Sequence, residues 1–314
     1  MRRIFLTSAA LFACAAVDTA GAADLPPAAP LPAKAPVVAP VPLWSWSGCY
    51  VGVNGGGTRA QNRADLSPAG LYLTPPGGAP PPNAAGSGDF AADIAALSHS
   101  YEMANNGWEA GGQVGCNAQW GMAVVGVEGD WQWSNTTTAA DASFASIPNV
   151  GPNPGFAIPT HTEHVDVTQR WFATARVRAG FTPWERVLIY GTGGIAWANF
   201  QSDTVVAFAT VPLVGVPPVQ QPYNGATHVG STSTNQLGWV AGGGIEWAVT
   251  NNWSVKAEYL YLRFDGFAYA SPLIAAAAPF APGYAWNTNV SLREQVVRVG
   301  VNYKFDWGSV VARY

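Results

Sequence analysis

Charge is scarce in this chain: only 11% of its 314 residues are charged, and 15 Lys and Arg stand against 19 Asp and Glu for a net charge of −4. A nucleic-acid surface needs a basic stripe to neutralise phosphates, so that class of partner is set aside. Long apolar runs are missing too. Although 48% of the residues are hydrophobic, no stretch after the first residues is continuously apolar for the roughly 20 positions a membrane helix needs. Apolar residues spread by alternation, together with 35 glycines, leave a large β-domain or a membrane barrel. Cysteine is rare, with three in all.

The first residues contain the one apolar segment. Met1 to Arg3 are positive, Ile4 to Ala16 are apolar apart from Thr7 and Ser8, and small residues follow at Ala20, Gly21 and Ala22. This is the layout of a secretory signal peptide over 1–22, cleaved near Ala22 or Ala23. Leu11-Phe12-Ala13-Cys14 resembles a lipoprotein cleavage box only faintly, because Phe12 is bulky there. Residues 23–43 form a Pro/Ala tract with Lys34 as the one charge beyond Asp24. Such a composition favours extended polyproline conformations and reads as a spacer-like periplasmic tail.

From Trp46 on, short segments of period two alternate with long polar or small-residue stretches, as strands alternate with loops. The last segment is the clearest. Val297, Val299, Val301, Tyr303 and Phe305 share one face, while Arg298, Gly300, Asn302 and Lys304 share the other. A soluble sandwich also alternates, so other features must say which face meets lipid. Aromatics gather at strand ends, at Trp44, Trp46, Tyr50, Trp184, Trp253, Tyr303 and Phe305, which suits interfacial girdles. The opposite face would carry Glu128, Asp130, Arg176, Arg178, Glu246, Lys256, Glu258, Arg298 and Lys304. Mixed charges inside a barrel pair with one another, whereas a sandwich core would bear a large desolvation cost.

Candidate strands fall at about 48–58, 107–119, 122–133, 167–181, 186–199, 236–248, 253–264 and 293–305. Eight is an even count, as bacterial barrels require. The connections Trp120-Gly121, 182–185 and 249–252 are short, and those near 60–106, 134–166, 200–235 and 266–292 are long. That rhythm predicts an all-β, antiparallel transmembrane β-barrel over 44–305, with short periplasmic turns and long extracellular loops. A C-terminal extension, 306–314, follows.

The segments Trp46 to Gly52, Gly111 to Gly115, Val125 to Asp130, Trp171 to Arg178, Tyr190 to Gly194 and Trp253 to Tyr259, with the final strand, carry a resemblance. The chain resembles the alphaproteobacterial outer-membrane barrels of the Omp25/Omp31 (RopB-like) porin-family group, over nearly all of the chain after Trp44. The spacing Arg298-x-Gly300-x-x-Tyr303-x-Phe305 also resembles the closing-strand signal read by the barrel-assembly machinery. The resemblance places the protein in the outer membrane among lipid and lipopolysaccharide.

Cys49 opens the first strand and Cys116 lies near the end of the second. Antiparallel pairing brings them level in an oxidising compartment, and a disulfide is expected. His161-Thr162-Glu163-His164, His99 and His228 are expected in loops without a framework to hold a metal, so they read as solvated histidines. Ser134 and Thr136 to Thr138 have no evident His partner, and Glu128 with Asp130 is explained by pairing to Arg176 and Arg178 on the next strand. Gly191-Thr192-Gly193-Gly194 lacks the lysine of a phosphate loop, and its glycines read as close barrel packing. No catalytic residue, cofactor or metal is assigned. An eight-stranded barrel is just wide enough to be filled by side chains, so a structural envelope role without enzyme activity is expected. A narrow porin-like channel and a surface adhesion or ligand-binding barrel are the alternatives.

Overall fold

The computed structural model describes residues 44–69, 97–146, 159–210, 225–275 and 285–305. Eight strands run in order as β1 (Gly48–Ala69), β2 (His99–Trp120), β3 (Ala123–Phe144), β4 (His161–Trp184), β5 (Val187–Phe208), β6 (Thr227–Ala248), β7 (Trp253–Ala275) and β8 (Ala285–Lys304). Each pairs antiparallel with the next, and β1 pairs with β8 to close the barrel. In the short-turn half every strand is laddered to both neighbours, so no sheet edge is exposed there, as a lipid-embedded sheet requires. Among the described residues, no helix is long and apolar enough to cross a membrane.

At one end, neighbouring strands are joined by tight connections such as the turn through Gly121, whose φ of +59° favours a residue without a side chain. The other end is where the strands outrun the sequence reading. Each has 20 to 24 residues, whereas a tilted membrane strand needs about 9–11. Much of what reads as long loop is therefore strand. Residues 59–69, 99–106, 134–144, 161–166, 200–208, 227–235, 265–275 and 285–292 extend the barrel beyond the segments that alternation marks. The loop-rich stretches at 74–83 and 276–282 lie outside the described residues, as do 1–43 and 306–314.

The two halves of these strands are built on opposite plans. In the short-turn half, Val51, Val53, Val114, Val127, Val177, Ile189, Ile245, Val255, Val299 and Val301 face outward and exposed. Exposed Trp120, Trp184, Trp247 and Trp253 border this band below, and Trp108, Trp131, Trp133, Trp197 and Trp239 border it above. Ten residues at about 3.3 Å each, tilted by about 40°, rise about 25 Å, the height of a lipid-facing band. In the far half the exterior turns polar, with Arg59, Arg63, Asp141, Thr162, Arg170, Ser231, Ser233, Arg263 and Asp265 exposed. The lumen there holds the main apolar cluster instead, with Leu66, Met103, Val165, Phe172, Phe200, Leu262, Phe264, Trp286 and Leu292, interleaved with buried polar groups such as Thr138, Glu163, Thr204 and Glu294.

Two irregularities manage the change. In β4 the register shifts between Gln169 and Trp171, and buried positions switch from odd (His161, Glu163, Val165, Val167, Gln169) to even (Phe172, Thr174, Arg176, Arg178). In β7 the shift between Phe264 and Phe267 does the same. A bulge inserts one unpaired residue and so turns every later side chain to the opposite face.

Candidate functional site: a charged belt in the lumen

At mid-height of the apolar band, alternation on β3, β4, β6, β7 and β8 sends eight charged side chains inward, where register sets them level. Glu128 pairs with Arg176 across β3–β4, Glu246 with Lys256 across β6–β7, and Glu258 with Arg298 across β7–β8. Arg176 stands at the centre. Its Nη2 contacts Glu128 and lies 2.8 Å from Asp130 Oδ2, and its Nη1 lies 2.9 Å from Glu258 Oε1. Arg178 Nη2 reaches Glu246 Oε2 at 2.7 Å and Lys256 Nζ reaches Glu128 Oε1 at 2.8 Å. Arg298 Nη2 bridges Glu258 Oε2 at 2.7 Å and Asp130 Oδ2 at 3.0 Å. These side chains are 0–3% exposed. Among these eight, four cations (Arg176, Arg178, Lys256, Arg298) balance four anions (Glu128, Asp130, Glu246, Glu258), as desolvated charges favour, and the buried Glu109 carboxyl of β2 lies just above this belt.

Neutral side chains complete it. Asn302 Nδ2 donates to Glu246 Oε1 at 2.8 Å and Thr174 Oγ1 to Asp130 Oδ2 at 2.8 Å. Tyr190 OH donates to Glu258 Oε1 at 3.1 Å, and the Arg178 guanidinium lies 4.6 Å over the Tyr190 ring. Tyr50, which the sequence places among the girdle aromatics, instead points inward and donates to Glu128. Its even position, shared with Asn54 and Thr58, is the signal that marks it. Glycines admit these large groups. A Cβ on Gly244 would meet the Tyr190 hydroxyl at 2.8 Å, and one on Gly115 would meet the Tyr50 hydroxyl at 2.4 Å.

The remaining candidates are dispersed. Lys304 sits at the barrel's short-turn mouth with Nζ 4.2 Å from the Trp44 ring centroid. Trp46, also read as a girdle residue, is buried in that mouth against Val124, Leu188, Tyr190 and Ala248, and its indole donates to Glu185 O at 3.3 Å. Arg298 and Gly300 of the closing-strand motif face the lumen, while Tyr303 and Phe305 face outward in the lower girdle. Cys49 and Cys116 are paired in the β1–β2 register and joined by a disulfide on the outer face.

The histidines correct the sequence reading. His161 and His164 belong to β4, His99 opens β2 and His228 lies in β6. His161 and His228 are fully buried, not solvated. Extension of the strands past the membrane band is the cause, because it turns presumed loop into lumen wall. Burial depresses the His228 imidazole to about 4. At Glu163, burial pushes the carboxyl up, but the nearby His161 and His99 imidazoles and the hydrogen bond from Tyr101 outweigh it and hold the group below its ordinary value.

The sequence profile of the outer membrane protein beta-barrel domain matches residues 28–305. The chain is 29% identical over 266 residues to the 31 kDa outer-membrane immunogenic proteins of Brucella melitensis and Brucella suis, covering 84% of this chain and 86% of each relative. Among solved structures, the outer membrane protease OmpT from Escherichia coli aligns over 85% of this chain and 99% of its own, at 9% identity and a TM-score of 0.40. Profile and relatives together establish that the chain belongs to the outer-membrane β-barrel family, as a barrel of the Omp25/Omp31 type in the cell outer membrane.

Proposed function

We propose that this protein is a closed, non-enzymatic structural barrel of the envelope whose charged belt seals the lumen at membrane height. The charge-balanced belt is the observation that carries this reading. A conducting path needs polar groups facing water, whereas these face one another, and the lumen above them is occupied by buried side chains, both polar (Asn62, Gln132, Thr136, Gln169, Glu294) and apolar (Phe172, Phe200, Phe264, Leu292). The cavity just above the belt, lined by Asn62, Thr136, Gln169 and Phe200 among others, measures about 10 Å³, room for about one water. Purified barrels in planar bilayers are expected to stay silent in salt solutions through which porins conduct. Discrete, reproducible conductance steps would replace this reading by the narrow porin-like channel.

The reading extends to lipopolysaccharide as the surrounding partner. Arg59, Arg63, Arg170 and Arg263 are exposed just above the upper girdle, with half-buried Arg293 beside them, and Arg263 stands directly opposite Arg293 in the β7–β8 register. Arg63 is already paired with Asp65 at 3.0 Å and Arg293 has only a 4.0 Å contact with Glu102, so Arg263 and Arg293, facing like charges, keep capacity for a further anion, and arginine is suited to bidentate phosphate contacts. The double variant Arg263→Gln/Arg293→Gln is expected to retain at least twofold less lipopolysaccharide through detergent purification, by native mass spectrometry. Equal retention would count against a headgroup seat at this pair. Tyr303 and Phe305 are proposed as the residues the assembly machinery reads.

A further inference from the structure

Above the membrane band, a second polar cluster lies among the apolar side chains of the lumen. His161 and Glu163 lie two residues apart on β4 and so point the same way, inward. His99, at the start of β2, meets them from across the barrel wall. Its Nδ1 lies 3.0 Å from Glu163 Oε1, His161 Nε2 lies 3.4 Å from that same oxygen, and the three atoms fall within 4.8 Å of one another. Ligands bound to tetrahedral zinc at about 2.0–2.1 Å stand about 3.3 Å from one another. The two nitrogen–oxygen distances match this, and the two imidazole nitrogens, within 4.8 Å of one another, would close toward each other to admit an ion.

Several features hold these groups in place. The Tyr101 hydroxyl donates to the other carboxylate oxygen, Glu163 Oε2, at 2.6 Å, the kind of outer contact that fixes a ligating carboxylate. Phe144 stacks on His99 at 3.9 Å and on His161 at 4.8 Å between ring centroids, and Phe208 stacks on the other side of His161 at 4.8 Å. The ring planes are thereby set by packing. An independent observation points to a ligand: His161 is 1% exposed, and its buried Nε2, the atom nearest Glu163, makes no hydrogen bond of acceptable geometry. Burying a ring nitrogen without a partner is costly, and a metal bond would satisfy it. The His99 side chain is 23% exposed, so the cluster keeps one side toward solvent.

We propose that His99, His161 and Glu163 bind a divalent transition-metal ion of the zinc class at the extracellular mouth, with a fourth position open to water or an external ligand. Two imidazoles and one carboxylate are borderline ligands suited to zinc rather than to calcium or magnesium, which prefer all-oxygen shells. The site sits where the wall is weakest. The β1–β2 ladder runs up to Leu66 and His99 and the β3–β4 ladder to Phe144 and His161, but the β2–β3 ladder runs only from Trp120 and Ala123 to Glu109 and Ser134. An ion held by His99 and the β4 pair would tie β2 to β4 across that unladdered seam.

The test uses the mature full-length barrel, without a histidine tag, stripped by chelator and kept in detergent. Titration with zinc chloride by calorimetry is expected to show one equivalent bound with a micromolar or tighter Kd, and cobalt(II) to give visible bands of a four-coordinate site. His161→Gln, His99→Gln and Glu163→Gln should each weaken zinc binding roughly tenfold or more, while His164→Gln, on the outer face of β4, should not. Heat-dependent gel mobility of each variant verifies its fold. Absence of stoichiometric binding by the unaltered barrel, or equal affinity in the folded His161→Gln and Glu163→Gln proteins, would overturn the proposal.

Discussion

Arg176→Met should lower the unfolding free energy of the barrel by about 3–5 kcal/mol, the cost of removing one partner from a buried ionic cluster. Methionine keeps most of the stem volume, so packing changes little and the loss is electrostatic. Without the guanidinium, four anions face three cations, and Glu128, Asp130 and Glu258 each lose a contact in a region where their side chains are at most 2% exposed. Denaturant titration in micelles, followed by tryptophan fluorescence, measures the change. Arg176→Met/Glu258→Gln restores three against three and should recover part of the loss, so the two substitutions couple by more than about 0.5 kcal/mol. A cost below about 1 kcal/mol for Arg176→Met would mean that water solvates the belt, and the sealed-lumen reading would fall with it.

The membrane half of this fold was legible in the sequence because lipid imposes a strong rule there. Outward residues must be apolar, the strand length is set by the bilayer, and β-branched residues alternate with charges, as in Val297 to Lys304. Hence the strand count, the short turns and the inward charges could all be read. Above the girdle the rule reverses, and its signal weakens. Both faces of β6 from Thr227 to Gln236 carry small or polar residues, so no alternation marks a strand. The bulges at Gln169/Trp171 and Phe264/Phe267 break the period where a sequence reading ends its strand. That failure hid the histidine cluster. His161 and Glu163 are separated by one residue, the spacing of a shared strand face, but this has meaning only once β4 is known to continue through them. His99 comes from 62 positions earlier in the chain, and only the closed topology brings it there. Tyr50 was missed for a different reason. An aromatic near a strand end suits both a girdle and a lumen, and parity decides between them only after the register is fixed.

The opposed plans of the two halves predict that one substitution has position-dependent costs. Val127 faces outward midway between Ala123 and the girdle residue Trp131 on β3 and is 58% exposed. Val127→Arg should reduce folding stability in phosphatidylcholine vesicles by about 2–4 kcal/mol, the penalty for an arginine at the bilayer midplane. Ser233→Arg, exposed on β6 above the girdle, should cost no more than about 0.5 kcal/mol, because a water-facing wall accepts charge. Val165 reverses the test from within, since it is fully buried in the upper lumen. There Val165→Arg must force a larger side chain into the packed apolar cluster and bury a charge whose nearest anion on the strand, Glu163, is already held by His99 and Tyr101, so it should cost at least about 4 kcal/mol or prevent folding. Equal penalties for Val127→Arg and Ser233→Arg would mean that lipid covers the whole wall. In that case the upper barrel would not stand clear of the membrane, and the arginines above the girdle would lie within hydrocarbon rather than at its phosphate boundary.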